Sequence, residues 1–192
     1  MFTEVKLVLA LIAAALAVFG NIPYLKDMFR KKVKPHLYSW LLWSIVSSVV
    51  FFGQLAKGAG VGAIPTGVSA FFTILIFLFS FKYGFPHITK KDTFLLIFAL
   101  LGLVPWFITK DPTISVVIMV SIDLIAFIPT LAKTWIYPKT EDSLLYTTNA
   151  ARHGLALFSL EAYNLATMLH SIVMIIVNVS MTAMILIRRK KK

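Results

Sequence analysis

Charge is almost absent from seven long stretches of this chain, and that feature confines it to a membrane. The stretches are Leu7 to Pro23, Leu37 to Ala56, Ala63 to Phe81, Thr93 to Thr109, Thr113 to Ala132, Ser143 to Leu160 and Ala162 to Ile187. The chain carries 19 Lys or Arg and 8 Asp or Glu, yet only Asp123 and Arg152 fall inside them. Crossing a bilayer core takes about 20 predominantly apolar helical residues, and each window has that length or nearly so. The sixth is the most polar, since it also holds Asn149 and His153. Composition points the same way: 59% of residues are hydrophobic and 14% charged, against about 45–50% and about 25% in soluble domains.

The other basic residues are unevenly placed. Lys26, Arg30, Lys31, Lys32, Lys34, Lys82, Lys90, Lys91, Lys133, Lys139 and the run Arg188 to Lys192 follow the odd-numbered windows, whereas only Lys6, Lys57 and Lys110 lie on the opposite side. The positive-inside rule then predicts a multi-pass protein of the cell membrane, with its N-terminus outside and its C-terminus in the cytoplasm. An odd number of spans is required, and seven fit. The basic tail directly after a span is expected to sit at anionic lipid rather than at nucleic acid. A short charged start before Leu7 also suits a signal peptide, but the repeat described next needs this helix.

A shift of 106 residues aligns two halves of the chain. Ile22-Pro23 falls on Ile128-Pro129, Leu25 on Leu131, Phe29 on Trp135, Trp40 on Tyr146 and Phe52 on Phe158. Both copies place a proline at the end of an apolar window, then a basic loop, then an aromatic opening the next window. Three helices reverse the direction of the chain, so one further crossing is needed for the copies to run parallel. The fourth window supplies it. The predicted fold is an all-α membrane protein of seven transmembrane helices, two parallel triple-helix bundles (residues 1–84 and 112–192) joined by a linker helix (85–111).

With those prolines and that 3+1+3 order, the chain resembles the PQ-loop and SWEET-like transporters, a group built from parallel repeats. The Pro-Gln pair of that family reads Pro23-Tyr24 and Pro129-Thr130 here. The resemblance implies a substrate site between the bundles near mid-membrane and makes Pro23 and Pro129 hinge or gate candidates. It also implies that an asparagine on the third helix of a bundle lines the pocket. Asn178 matches that position in the second bundle, and Thr73 stands near it in the first.

Within the windows, a charge in hydrocarbon costs at least about 2.5–3.5 kcal/mol, so such residues face a cavity or a partner. Asp123 and Arg152 each lie some ten residues into their windows, roughly 15 Å deep at about 1.5 Å per residue. Matched depth on consecutive helices predicts an ion pair, either structural or carrying a coupled proton. Trp43, Ser47, Asn149, Arg152 and His153 fall on helical faces that suit a cavity, and the shift of 106 pairs Trp43 with Asn149 and Ser47 with His153. The substrate-binding set is therefore Trp43, Ser47, Thr73, Asn149, Arg152, His153 and Asn178. His170 and Glu161 are expected near the outer face, and His36 and His87 in solvated cytoplasmic loops.

Other classes lack their residues. There is no cysteine, no HExxH and no Gly-rich phosphate loop, so no enzyme, metal site or cofactor is expected. The expectation is a small-solute transporter working by alternating access. Its substrate is charged or zwitterionic, with proton coupling through Asp123 as one option. The alternative is a receptor or adaptor of the same fold that moves nothing. A homo-oligomer is compatible with this but not required, because two bundles form a complete pathway in one chain.

Overall fold

The computed structural model describes residues 2–101, 104, 108 and 111–190, and every regular element among them is a helix. They are α1 (Phe2–Phe29), α2 (Leu37–Ala56), α3 (Ile64–Tyr83), α4 (Lys90–Leu101), α5 (Pro112–Ile136), α6 (Ser143–Ser159) and α7 (Leu165–Lys190). Short 3-10 turns, Gly60–Ala63 and Pro138–Thr140, precede α3 and α6. The helix starts are chemically marked. The Asp111 carboxylate accepts from the backbone N–H groups of Thr113 and Ile114, and that of Asp142 from Leu144, as helix N-caps do. Thr89 and Asp92 bond reciprocally at the start of α4, which is the capping-box arrangement.

Five helices are long and apolar enough to cross a bilayer: α1, α2, α3 with its preceding turn, α5 and α7. Helix α6 follows the sixth window closely but has only 17 residues. The fourth window runs into residues 102–110, most of which lie outside the described residues. The largest departures are at the prolines. Helices α1 and α5 do not end at Pro23 and Pro129 but continue to Phe29 and Ile136. Each proline therefore sits inside its helix, where it removes one backbone donor.

The helices pack as a closed ring. Helix α3 packs on α1 and α2, and α7 on α5 and α6, while α1 packs on α6 and α2 on α5. Helix α4 lies outside the ring against α5 and α2. Helices α1 and α6 approach closely at Gly20, where an added Cβ would come within 2.0 Å of Thr148 Oγ1. Gly20 is thus what lets α1 close on α6.

The chain is inside-out relative to a soluble protein. Val8, Leu11, Phe19, Phe52, Phe71, Phe81, Ile176 and Phe158 are exposed, while Ser47, Gln54, Thr66, Ser69, Asp123, Arg152, His153 and Asn178 are buried. Apolar side chains turned outward, with charged and amide side chains among the buried ones, are stable only where the solvent is lipid. The protein is membrane-embedded.

The two ends of the ring differ in charge. At one end Lys34 N–H donates to Thr140 O, Phe85 N–H to Pro35 O, Arg188 to Trp135 O and Arg189 to Pro138 O. Most of the basic residues are gathered there. At the other end Lys6 lies over the Tyr163 ring and Glu161 reaches the turn Gly60–Ala63, accepting from Val61 N–H.

Candidate functional site

The interior of the ring holds a partly open cavity of about 60 Å³. Each ring helix contributes to its wall, among them Asn21 from α1, Trp43 and Ser47 from α2, Thr73 from α3, Asp123 from α5, Asn149 and Arg152 from α6, and Asn178 from α7. All seven residues expected to bind substrate line it, as does Asp123. Asn21, Phe127, Tyr146 and His170 also line it and were not expected.

The wall follows the sequence repeat. Asn21 and Phe127, Trp40 and Tyr146, Trp43 and Asn149, Val46 and Arg152, and Ser47 and His153 are pairs 106 residues apart, and both members of each line the cavity. On α3 and α7 the spacing is 105: Ser69 with Met174, and Thr73 with Asn178. The chemistry of the pairs is unequal. Positions 46, 47 and 69 in the first half are Val, Ser and Ser, while their partners in the second include Arg152 and His153.

The expected pairing of Asp123 with Arg152 does not form. Asp123 Oδ2 instead accepts from His170 Nε2 at 3.0 Å. The reason is helix order: α7 packs on both α5 and α6 and stands between them, so consecutive helices of this half are not neighbours. Matched depth was therefore not enough. His170 is buried rather than vestibular, and its ring centroid lies 5.3 Å from that of His153.

Arg152 is left with neutral acceptors. Its Nε donates to Asn149 Oδ1 at 3.3 Å, Nη1 to Pro65 O at 3.4 Å and Nη2 to His153 Nε2 at 2.6 Å. A guanidinium can only donate, so His153 Nε2 carries the lone pair and its proton resides on Nδ1, directed at Ser171 Oγ 3.2 Å away. His153 is accordingly a neutral imidazole. Pro65 belongs to α3, so Arg152 ties the two halves across the cavity. Ser47 and Thr73 are joined by a 2.9 Å hydrogen bond between hydroxyls. Four buried polar atoms of cavity residues have no partner: Trp40 Nε1, Trp43 Nε1, His170 Nδ1 and Asn178 Oδ1. Among the described residues no three His, Asp or Glu side chains are arranged to hold a metal ion.

Toward the basic end the cavity is floored by aromatic rings. Tyr24 packs on Trp40 (centroids 5.3 Å apart), Trp40 on Trp43 (5.1 Å) and Trp43 on Phe127 (4.6 Å). Beyond them lies a second buried charge cluster that sequence reasoning missed. Glu141, fully buried, accepts from Lys133 Nζ, from Tyr24 Oη at 3.3 Å and from Tyr146 Oη at 3.1 Å. Lys133 also donates to Lys34 O at 2.6 Å, and Arg189 bonds Glu141 O. Lys133 is thus a buried, ion-paired residue rather than a solvated loop lysine. His36 is a similar correction: it is buried, with Nε2 3.5 Å from Asp92 Oδ2. Burial pushes its imidazole below the ordinary value, and the nearby Asp92 only partly opposes this.

The residue after each proline reaches across to the other half. Tyr24 joins the Glu141 cluster, and Thr130 Oγ1 donates to Ser39 Oγ at 2.9 Å, which in turn donates to Ala126 O at 2.6 Å. No family model matches the chain, and neither a curated protein nor a solved structure matches it.

Proposed function

We propose that the protein is a small-solute membrane transporter working by alternating access, with seven spans in two parallel triple-helix bundles, 1–84 and 112–192, joined by the linker helix 85–111. In this reading it belongs with the PQ-loop and SWEET-like transporters and performs no chemistry on its solute. Its N-terminus is outside the cell membrane and its basic end, with the C-terminus, is cytoplasmic.

The observation that carries this is the cavity wall, built from repeat-related positions of both halves and carrying buried charged and amide side chains in a chain whose exterior is apolar. Ring packing supports the same symmetry. Exchanging α1, α2 and α3 for α5, α6 and α7 turns the α1–α6 contact into α5–α2, and both occur. A seat between two repeats lets rocking of one against the other expose it to either side. The latch at the basic end is the Glu141 cluster with the aromatic floor. Pro23 and Pro129 adjoin the two cross-links, Tyr24 and Thr130, that must break for that end to open. The charged and amide side chains in the wall also suit a polar solute better than an apolar partner helix, which favours carriage over a receptor role.

The test is counterflow in proteoliposomes, with purified protein and a labelled panel of sugars, amino acids and organic acids. Saturable accumulation of a panel member, absent from protein-free vesicles, is the expected result. Retention of a soluble protein partner with no flux for any solute would replace the transporter by the receptor.

A further inference from the structure

Arg152 is the clearest pointer to what the cavity holds. Its side chain is buried in the middle of a membrane-embedded bundle, and among the described residues it has no carboxylate partner. Asp123, the acid nearest in depth, is engaged by His170. A guanidinium carries five N–H donors, and three are used, all by neutral acceptors. Buried charges are ordinarily paired, so this cation lacks an anion that the protein does not supply.

We propose that the cavity is a seat for a short hydroxycarboxylate, its carboxylate held by Arg152. The inference rests on the transporter reading for its biological sense but not for its chemistry. The cavity, about 60 Å³, has room for several water-sized groups at about 10–15 Å³ each and suits a small solute. Partner-free atoms limit its groups. The Trp43 indole N–H offers the carboxylate a further donor, and Asn178 Oδ1 asks for a donor on the solute. That requirement disfavours simple halide or unsubstituted acetate. An ammonium group would bring a second cation beside Arg152 while the only acid at hand is already bonded. A hydroxyl meets Asn178 without that penalty, and the carboxylate supplies the anion that Arg152 lacks. Because Arg152 also bonds Pro65 O on α3, the anion binds where the two halves meet, so its presence bears directly on their relative position.

The full chain purified in detergent is titrated with lactate, lactamide, propionate, alanine and sodium chloride, following the unfolding temperature. A ligand that binds only the folded state raises it with the logarithm of its concentration relative to the dissociation constant. Lactate is expected to give a rise that grows with its concentration, with propionate weaker and lactamide, alanine and chloride flat. Arg152→Gln is expected to weaken lactate about 10- to 100-fold, the factor for losing hydrogen bonds to a charged group, and Arg152→Lys to retain part of it. The wild-type series stands even if a variant does not fold. A rise with lactamide, alanine or chloride equal to that with lactate overturns the proposal. Lactate binding without counterflow would remove the transporter and leave the seat. Counterflow of neutral solutes with no lactate binding would do the reverse.

Discussion

Two buried charge clusters lie along the axis of this protein, and they are built on opposite principles. At the basic end, Glu141 and Lys133 neutralise one another, and two tyrosine hydroxyls complete the carboxylate. In the central cavity, Arg152 is as deeply buried but has only neutral acceptors, beside partner-free atoms on Trp43, His170 and Asn178. A closed cluster gives a contact that holds until it is broken as a whole. An open one gives a site that is finished only by something from outside. In the proposed transporter, the contrast separates holding the protein shut from binding a solute.

Charge removal at the two sites should therefore have opposite consequences. Glu141→Gln leaves Lys133 as a buried unpaired cation and is expected to lower stability by about 3–5 kcal/mol. Thermal unfolding in detergent reads this, and Lys133→Met added to Glu141→Gln should recover much of the loss. Asp123→Asn weakens a charge-assisted bond to His170, with an expected loss of about 1.5–3 kcal/mol. If Asp123 carries the coupled proton, the same variant abolishes uptake driven by a pH gradient while exchange persists. Arg152→Gln is expected to stay within about 1 kcal/mol of the parent, since three bonds to neutral acceptors are lost while a charge in hydrocarbon is removed. Equal loss of stability for Glu141→Gln and Arg152→Gln would erase the distinction between the clusters. Pro23→Ala and Pro129→Ala should change stability least and slow counterflow several-fold. Unaltered rates would leave the prolines without a role in opening.

A smaller effect concerns pH. The folded state holds His36 below its ordinary value of about 6.5, so it binds fewer protons than the unfolded chain. The stability this contributes is present above about pH 6.5 and is lost as pH falls from there through the lower value of the folded state. His36→Gln should flatten the decline in unfolding temperature between pH 7 and pH 5.

Much of the cavity could be read from the sequence because helical phase and an internal repeat act together. Trp43 with Asn149 and Ser47 with His153 were found by counting 106 residues, and the same count from Phe127 would have found Asn21, the lone amide in the apolar run before Ile22. Pairing was less legible. Asp123 and Arg152 were matched by depth on consecutive helices, but the third helix of the half inserts between them and brings His170 instead. Depth along each helix says nothing about that order. Glu141 was invisible for another reason. In a loop beside Lys139 and Asp142 it reads as one more solvated charge, and only the folding of Tyr24, Lys133 and Tyr146 around it removes the water. The prolines were read as helix ends because their windows become polar there, yet α1 and α5 run on through Lys26 and Lys133.

The absence of cysteine from the chain offers the most direct test of the central idea, that the cavity opens alternately to each side. Thr73→Cys places one thiol on the cavity wall, and a membrane-impermeant maleimide can be applied from either face of sealed vesicles of known orientation. Labelling from both faces, slowed on each by lactate, is the result expected of alternating access. Labelling from one face only, whatever solute is added, would contradict it.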